Sequence, residues 1–499
     1  MKQVFPGRRD WAPILLGAVL VTLAYPPFHL LVPSLVCLTP AVALLHAAKS
    51  DARPIRFAAV RGFWFGVAAN ALLLYWMPIA LWRYTPLAAP VFVIGVLFLG
   101  LCTAAAFGLT GWIVRVSNLS IVIAFPTLWT ALEWAVGHIG VASFPWLGLG
   151  TSLTGYPLLI QIADIVGARG LTWLLAAANA ALALAWIHRR ECAKVIPLVG
   201  SVTSALALVL GYGIVRMHSV ELRGVGTVAL IQPDVGYVDK WDPDKGDSIV
   251  RALVALSSSA IQEVQPDLVI WPETAIPGAF TYRPTWESTI SRHARNSRTP
   301  ILVGALHQDE GPDSTARFYN TAFWFDSLGT RDRATHYHKR RTVLLVERFA
   351  GIASGNSSAV FESPLGSFGV LICYESAFEE LTRRYRNQGV DFIVNISNDA
   401  WFGGTTAPYQ HEAHAVMRAI ENRVAIARAA NNGISEFVDP LGRRLRATEF
   451  GTKTFAAGLL QTSDVMTLHA RLGDWVGALS ALAALGFFVI AGSRRRPLQ

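Results

Sequence analysis

Cys373 ends the apolar run Gly369-Val370-Leu371-Ile372 and is followed at once by Tyr374 and Glu375. A run this short reads as a buried strand, which delivers the thiol to a strand end. A free thiol is a weak nucleophile, only a few per cent ionised near neutral pH. Covalent chemistry at Cys373 therefore requires a base, a cation and an oxyanion stabiliser from elsewhere in the chain. Two stretches offer them: Trp271-Pro272-Glu273 and His338-Lys339-Arg340. Taken singly, each has a plainer explanation. A lone Cys on an apolar strand is usually an inert buried thiol, Glu273 is a loop acid, and Lys339-Arg340-Arg341 is a solvated basic patch.

The elements that must position these residues alternate in type. Strands are expected at Thr227–Gln232, Asp267–Trp271, Ile301–Leu306, Tyr319–Asp326, Phe368–Cys373 and Phe392–Ser397. Helical spacing marks Asp244 to Val264, Trp286–Arg298, 377–387 and His411–Arg428, the last with Pro408 near its start. Alternation of this kind predicts an α/β layer fold. Glu273, Cys373 and Asp399 each follow an apolar strand, and carboxyl ends of neighbouring strands are where α/β sites assemble. For Asp399, a helix N-cap is an equally good role.

The remainder of the chain is of another kind. Over 499 residues the sequence is 53% hydrophobic and 15% charged, with mean hydropathy +0.39, too apolar for an ordinary soluble enzyme. Residues 11 to 216 contain only Asp51, Glu133, Asp164 and Glu191 as acids. Apolar segments at 11–27, 29–47, 57–81, 88–114, 119–138, 168–187, 195–215 and 474–492 predict about eight transmembrane helices. The first reads as a retained span rather than a signal peptide, because further spans follow directly. Arg8, Arg9, Lys49, Arg53, Arg56, Arg61, Arg115, Arg189, Arg190, Lys194 and Arg494 to Arg496 all fall on one side, with Arg83 and Arg169 the main cations of the alternate loops. The positive-inside rule makes the basic side cytoplasmic. Residues 1–218 are then a membrane domain of seven spans, 219–468 an extracytoplasmic domain, and 469–499 an eighth span with a basic tail. This accounts for much of the net charge of +9, so no nucleic-acid partner is expected. Cys37, Cys102 and Cys192 lie in spans or a cytoplasmic loop, leaving Cys373 without a disulfide partner in the outer domain. The turn-rich Ser143-Phe144-Pro145-Trp146-Leu147-Gly148 reads either as an interfacial aromatic belt or as a functional loop.

Pro272-Glu273, Lys339 and Cys373-Tyr374-Glu375 resemble the Glu-Lys-Cys triad of the nitrilase superfamily. With Ser397-Asn398-Asp399-Ala400-Trp401-Phe402-Gly403, Asn431-Asn432-Gly433, Phe144-Pro145-Trp146-Leu147 and Lys240-Trp241, the ordered set is similar to the membrane-anchored apolipoprotein N-acyltransferase family across essentially the whole chain. The resemblance implies a nitrilase-like αββα sandwich in the periplasm, carried by a multi-span α-helical domain of the bacterial inner membrane. It also implies transfer of a fatty acyl chain from a phospholipid, through a Cys thioester, to the amino group of a diacylglyceryl-cysteine on an apolipoprotein. The lipid bilayer is thus itself a partner. Glu273 becomes the general base, Lys339 the oxyanion stabiliser, and Cys373 the nucleophile. The Tyr374 N–H is a second oxyanion donor, as the residue after a nucleophile often is. Glu347 and Glu375 support the site by orienting Lys339, one of them protonated or lysine-paired. The family's Leu-Val-Pro-Phe-Gly-Glu run after the lysine is here Leu344-Leu345-Val346-Glu347, and the connection from Glu347 to Cys373 is short. Glu347 nonetheless keeps its distance of eight residues from Lys339.

Trp241, Tyr237, Phe280, Trp401 and Phe402 are candidates to line an acyl-chain path, against ordinary packing for any one of them. No phosphate loop and no cofactor are implied. His336 and His338 alternate and His411 and His414 are three apart, with no further metal ligands evident beside them, so no metal is expected. Two rivals use the same residues. A membrane-tethered amidase would let water resolve the acyl-enzyme. A transporter or receptor with a nitrilase-like outer domain would carry charges at mid-span; here Arg61, Glu133 and Asp164 lie near span ends.

Overall fold

A computed structural model describes residues 4–48, 51, 53–82, 85–117, 119–310, 315–343 and 346–493. Lys49, Arg83, Leu344, Leu345 and Arg494 to Arg496 lie outside the described residues. The chain divides into two compact units, one of Met1–His218 with Leu472–Gln499 and one of Ser219–Arg471.

The first unit is helical. Ala88–Ser117, Ala163–Ile187 and Cys192–Ser219 are long and apolar enough to cross a hydrocarbon core. Shorter apolar helices include Ile121–Gly137 and, within the last helix, Trp475–Ile490. The expected span 29–47 is interrupted, forming Leu31–Val36 and Thr39–Ala47. Pro40 has no N–H to continue a ladder, and at the break the Leu38 and Thr39 amides donate to Asn179 Oδ1 at 2.8 and 2.9 Å rather than along the helix. The expected span 57–81 likewise divides into Pro54–Leu73 and Trp76–Leu81. The expected 168–187 helix starts earlier, at Ala163, and kinks at Gly167, whose φ of 65° only glycine adopts without cost. Arg169 is accordingly not a loop cation. It is buried in that helix and paired with Glu133 at 2.9 Å. Pro54–Leu73 and Ala88–Ser117 pack through small residues: a Cβ on Gly62 would stand 2.6 Å from the Phe107 Cβ. Trp146 is buried between Trp76 and Phe144, at ring distances of 5.6 and 6.1 Å. An interfacial belt is therefore not its role; the flanking glycine and proline turns fold it inward.

The second unit is built on two sheets. The strands are β1 (Arg223–Gln232), β2 (Leu268–Ile270), β3 (Ile276–Ala279), β4 (Ile301–Glu310), β5 (Ala316–Phe325), β6 (Arg331–His338), β7 (Ile352–Ala353), β8 (Val360–Ser363), β9 (Gly366–Ile372), β10 (Phe392–Ser397), β11 (Ala425–Ala430), β12 (Glu436–Val438), β13 (Arg444–Leu445) and β14 (Thr454–Thr462). One sheet runs β14-β1-β2-β4-β5-β6, with β3 on β4 and β7 on β5; the other runs β13-β12-β11-β10-β9-β8. The centres are parallel, β1-β2-β4 in one and β9-β10-β11 in the other. Such strands need apolar residues on both faces, as Val370-Leu371-Ile372 and Ile393-Val394 supply, all fully buried.

Alternate faces of each strand have different partners. Ile301, Val303 and Ala305 of β4 pack with Ile249, Leu253, Trp286 and Ile290 of the helices Gly246–Val264 and Pro284–Ser297. Trp324 of β5 instead meets Phe368 of β9, ring centroids 5.5 Å apart. On the far side of β9, a Cβ on Gly369 would strike the Tyr385 ring of the helix Glu379–Asn387. The layers are thus helix, sheet, sheet, helix. Phe280, expected on a loop surface, is in the first sheet's core against Phe323 at 5.3 Å. The expected helix His411–Arg428 is really the helix Ala407–Asn422 followed by β11. Arg423 adopts φ 48°, a left-handed C-cap that ends the helix, and after Val424 the strand begins at Ala425, with the β-branched Ile426 in the sheet.

Candidate active site

The sheet topology brings three strand ends together. Glu273 lies three residues beyond β2, Cys373 immediately follows β9, and Asn398 and Asp399 follow β10. Lys339 continues β6, its amide donating to the Asn320 carbonyl of β5 at 2.8 Å. Glu273, Lys339 and Cys373 are all buried. Cys373 opens a short 3-10 turn, Cys373–Ala377, with φ of 56°. A non-glycine residue held there is strained, a backbone posture that suits a side chain presented at a sharp strand-to-helix turn.

Lys339 Nζ donates to Glu273 Oε1 at 3.0 Å and to Glu347 Oε1 at 2.9 Å. Asn320 Nδ2 donates to the same two oxygens, at 2.6 and 3.0 Å. The second oxygen of each carboxylate takes a backbone amide: Asn398 N–H to Glu273 Oε2 and Val343 N–H to Glu347 Oε2, both 2.8 Å. The two acids are thereby fixed around one ammonium. Burial opposes the charge on Lys339, but Glu273, Glu347 and the Cys373 sulfur outweigh it and hold its pKa well above the ordinary value. Burial, then the Glu273 charge, pushes the Cys373 thiol well up against the pull of Lys339. At neutral pH the site accordingly pairs a charged ammonium with a protonated thiol, so thiolate formation requires a base at the moment of attack.

Glu375 is fully buried and does not bond Lys339. It accepts from the Tyr337 hydroxyl at 2.9 Å, from the Arg340 and Arg341 amides at 2.6 and 3.0 Å, and from the Ile372 amide at 2.8 Å. It ties the segment after Lys339 to the end of β9. Burial raises its pKa, against the backbone amides of Ile372 and Arg341. Tyr374 sits in the 3-10 turn with its ring edge-on to Phe378 at 5.0 Å.

Four residues of this neighbourhood were given no role at the site by the sequence, where Lys240 entered only through the Lys240-Trp241 motif and His411 only through its spacing from His414. Asn320 is one. Lys240 is another: it is buried, and its Nζ donates to the Glu273 carbonyl at 3.2 Å. Burial lowers its pKa to about 7, against the Glu273 charge. Arg428 of β11 and His411 are the others. Asp399, fully buried, accepts from Arg428 Nη2 at 3.0 Å, His411 Nδ1 at 2.9 Å and Ser397 Oγ at 2.8 Å. Its side chain makes no N-cap bond to the Ala400–Phe402 turn, so capping is not its role. The Cys373, Asp399 and His411 ligand atoms lie within 4.8 Å of one another. Burial would raise the Asp399 pKa, but His411 and Arg428 pull it down to about 2. Arg428 carried a readable signal, a lone charge inside Ala425–Ala430.

Of the aromatic candidates, Phe402 is buried, stacked on Trp401 at 4.1 Å and edge-on to His411 at 6.0 Å. Trp401 and Tyr237 are half-buried, and Trp241 is 45% exposed. The view that the paired histidines lack further ligands is corrected at both places. His411 joins Asp399, as above. His336 and His338 are joined by His307 and Asp309 of β4, with all four ligand atoms within 4.8 Å. Those partners lie about thirty residues earlier in sequence and are brought in by the β4-β5-β6 register.

The family model of the carbon–nitrogen hydrolases matches residues 227–469, the stretch that holds both sheets and the cysteine at the end of β9. The model for the apolipoprotein N-acyltransferase N-terminal domain matches residues 17–181. The apolipoprotein N-acyltransferase of Geobacter metallireducens is 33% identical over 96% of both chains. That of Brucella melitensis is 32% identical, covering 87% of this chain and 86% of its own. Nit3 of Saccharomyces cerevisiae, a nitrilase-superfamily structure, covers 48% of this chain and 90% of its own at 21% identity, with a TM-score of 0.40. The chain belongs to the apolipoprotein N-acyltransferase family.

Proposed function

We propose that the protein transfers a fatty acyl chain from a phospholipid to the N-terminal amino group of a diacylglyceryl-cysteine on an apolipoprotein, through an acyl thioester on Cys373. Its relatives are named for N-acylation of apolipoproteins. The observation that carries the chemistry is the single ammonium, Lys339, clamped between Glu273 and Glu347 beside a protonated thiol.

Glu273 takes the thiol proton as Sγ attacks the ester carbonyl. The oxyanion forms against Lys339 Nζ and the Tyr374 N–H, each such donor being worth roughly 10²–10³ in rate. The carbon–oxygen bond then breaks, and Glu273 returns the proton to the leaving lysophospholipid alcohol. In the second half-reaction the amine attacks the thioester and Glu273 takes its proton. Collapse of the intermediate forms the amide and releases the Cys373 thiol. Glu347 holds Lys339 in place, and Glu375 holds the segment that follows it. Trp241 and Trp401, which keep exposed surface, are the proposed contacts for an acyl chain; Phe402 supports Trp401 from beneath.

The proposed setting is the bacterial inner membrane. Residues 1–218 form a membrane domain, 219–468 a catalytic domain on the periplasmic side, and 469–499 the last span and tail, eight spans in all. The apolar helices and the one-sided basic residues support this reading. Intact-mass analysis after incubation with phospholipid tests the chemistry. The protein should gain one fatty acyl mass, located on Cys373 and released by hydroxylamine, and Cys373→Ala should gain none. An acyl group that survives in Cys373→Ala would overturn the assignment.

A further inference from the structure

The face of the first sheet opposite Lys339 carries a cluster that the acyl-transfer chemistry leaves unused. His307 and Asp309 alternate along β4, and His336 and His338 alternate along β6. Between them, β5 places Tyr319, Thr321 and Phe323 on the same face, because His307 pairs with Tyr319, Thr321 with His338, and Phe323 with His336. The four candidate ligands are half-buried. We propose that His307, Asp309, His336 and His338 form a binding site for one divalent transition-metal ion of the zinc class, clamping β4 to β6 across β5.

Three observations carry the proposal. The first is spacing. Zinc bound tetrahedrally at about 2.0–2.1 Å puts its ligand atoms about 3.3 Å apart. Asp309 Oδ2 is already 3.3 Å from His338 Nε2 and 3.6 Å from His336 Nε2. All four ligand atoms lie within 4.8 Å of one another, so small side-chain rotations complete the set.

The second is the anchoring of a ring. His338 Nδ1 lies 2.8 Å from the Thr321 hydroxyl and Nε2 lies 3.3 Å from Asp309 Oδ2, so the ring is held with Nε2 at the carboxylate, where a bound ion would take the place of a proton. Anchoring a histidine's second nitrogen on an oxygen is also how metal-bound imidazoles are oriented. The third is a buried polar atom. Among the described residues, His307 Nδ1 has no hydrogen-bond partner. Its ring is packed by Phe323 at 5.2 Å, His336 at 5.1 Å and His338 at 5.4 Å.

Three imidazoles and one carboxylate suit zinc, nickel or copper(II) better than magnesium or calcium, which prefer oxygen. The fixed strands dictate what the ion does. On the reverse face β5 presents Asn320, and β6 runs directly into Lys339. An ion joining β4 to β6 therefore stiffens the strands that hold the ammonium, without touching substrate.

The test uses the full-length protein in detergent, purified without a histidine tag, stripped with EDTA and titrated calorimetrically with zinc sulfate. One zinc per chain is expected. His307→Gln/His336→Gln should weaken binding at least 100-fold, and Asp309→Asn about tenfold. His293→Gln, a histidine outside the cluster, should leave it unchanged. A cobalt-loaded sample should show the strong visible absorption of a four-coordinate ion. Because a double variant can misfold, the unsubstituted protein gives a second measurement. Zinc should protect His307, His336 and His338 from diethyl pyrocarbonate, read peptide by peptide. Zinc binding that persists in the double variant, or modification of all three histidines unchanged by saturating zinc, overturns the proposal.

Discussion

At the scale of single residues, the site rests on buried ions that are useful only while paired. Asp399, Arg428 and His411 are each fully buried. Removing one partner of such a group leaves an uncompensated charge, at a cost of about 3–5 kcal/mol. Arg428→Met should therefore lower the thermal midpoint of the detergent-solubilised protein sharply, whereas Arg443→Met, at a half-exposed pair with Asp439, should shift it little. The pH dependence has a definite sign. Asp399 is held at about 2 in the fold, below the roughly 3.9 of an unfolded carboxylate. Its contribution, roughly 2 kcal/mol, is present above pH ~4 and lost as pH falls toward ~2. His411 remains the larger stabilising charge, so Arg428→Met should reduce that acid-sensitive increment; an unchanged midpoint with an unchanged acid limb would refute the pairing. Such residues also mark how far the sequence could be read. Cys373, Glu273 and Lys339 were legible because strand ends and a family pattern pointed to them. Asn320 was not, because a neutral amide inside a strand looks like ordinary packing, and Lys240, though part of the Lys240-Trp241 motif, gave no sign of its partner. Only the fold shows that both turn inward to Glu273.

At the scale of elements, existence was more legible than extent. The apolar runs that became β9 and β10 were unambiguous, since parallel strands bury both faces. The junction between the Ala407–Asn422 helix and β11 was missed, because nothing in the helical spacing announces that Arg423 turns left-handed. The membrane unit failed in the same manner. Hydropathy gives the length of an apolar stretch but not the break at Leu38 and Thr39, which a side chain 140 residues away makes affordable. Element packing also yields a test of positioning that touches no ionisable group. Gly304 on β4 lies directly under the segment that carries Glu273: an added Cβ would stand 2.9 Å from both Glu273 Cα and the Thr274 amide. Gly304→Ala must displace that segment, and a 1 Å misplacement of a reacting group costs on the order of 10²-fold. The rate of acyl-enzyme formation should drop by that order, with the thermal midpoint falling modestly. Acylation at the unsubstituted rate would show that the Glu273 position is not set by this contact.

At the scale of the whole molecule, the one-sided distribution of arginine and lysine and the position of Ser219–Arg471 in the sequence, between the two stretches of the helical unit, bear on topology and on the fate of the acyl group. Reporter fusions after Arg216 and after Arg494 should place the first outside the cytoplasm and the second inside. A cytoplasmic signal from the first would overturn the proposed periplasmic placement of Cys373. The acyl group's fate separates transfer from hydrolysis. A thioester is well matched to aminolysis, and the amide product is more stable than the phospholipid ester, so transfer to an amine runs downhill. The chemistry at Cys373 is nonetheless compatible with water as second nucleophile, and the distinction lies in what the site admits before the amine arrives. The buried thiol, with the carboxylates around it already engaged by Lys339, Asn320 and backbone amides, gives an incoming water few groups to hold it. The acyl-Cys373 form should thus persist without acceptor and discharge on addition of a diacylglyceryl-cysteine peptide, yielding the N-acyl peptide mole for mole. Glu273→Gln should block formation of the acyl form, since the thiol proton has no acceptor, and Lys339→Met should slow both half-reactions, since each passes through an oxyanion. If the acyl form instead decays to free fatty acid at one rate with and without the peptide, the protein is a hydrolase that has kept its relatives' fold.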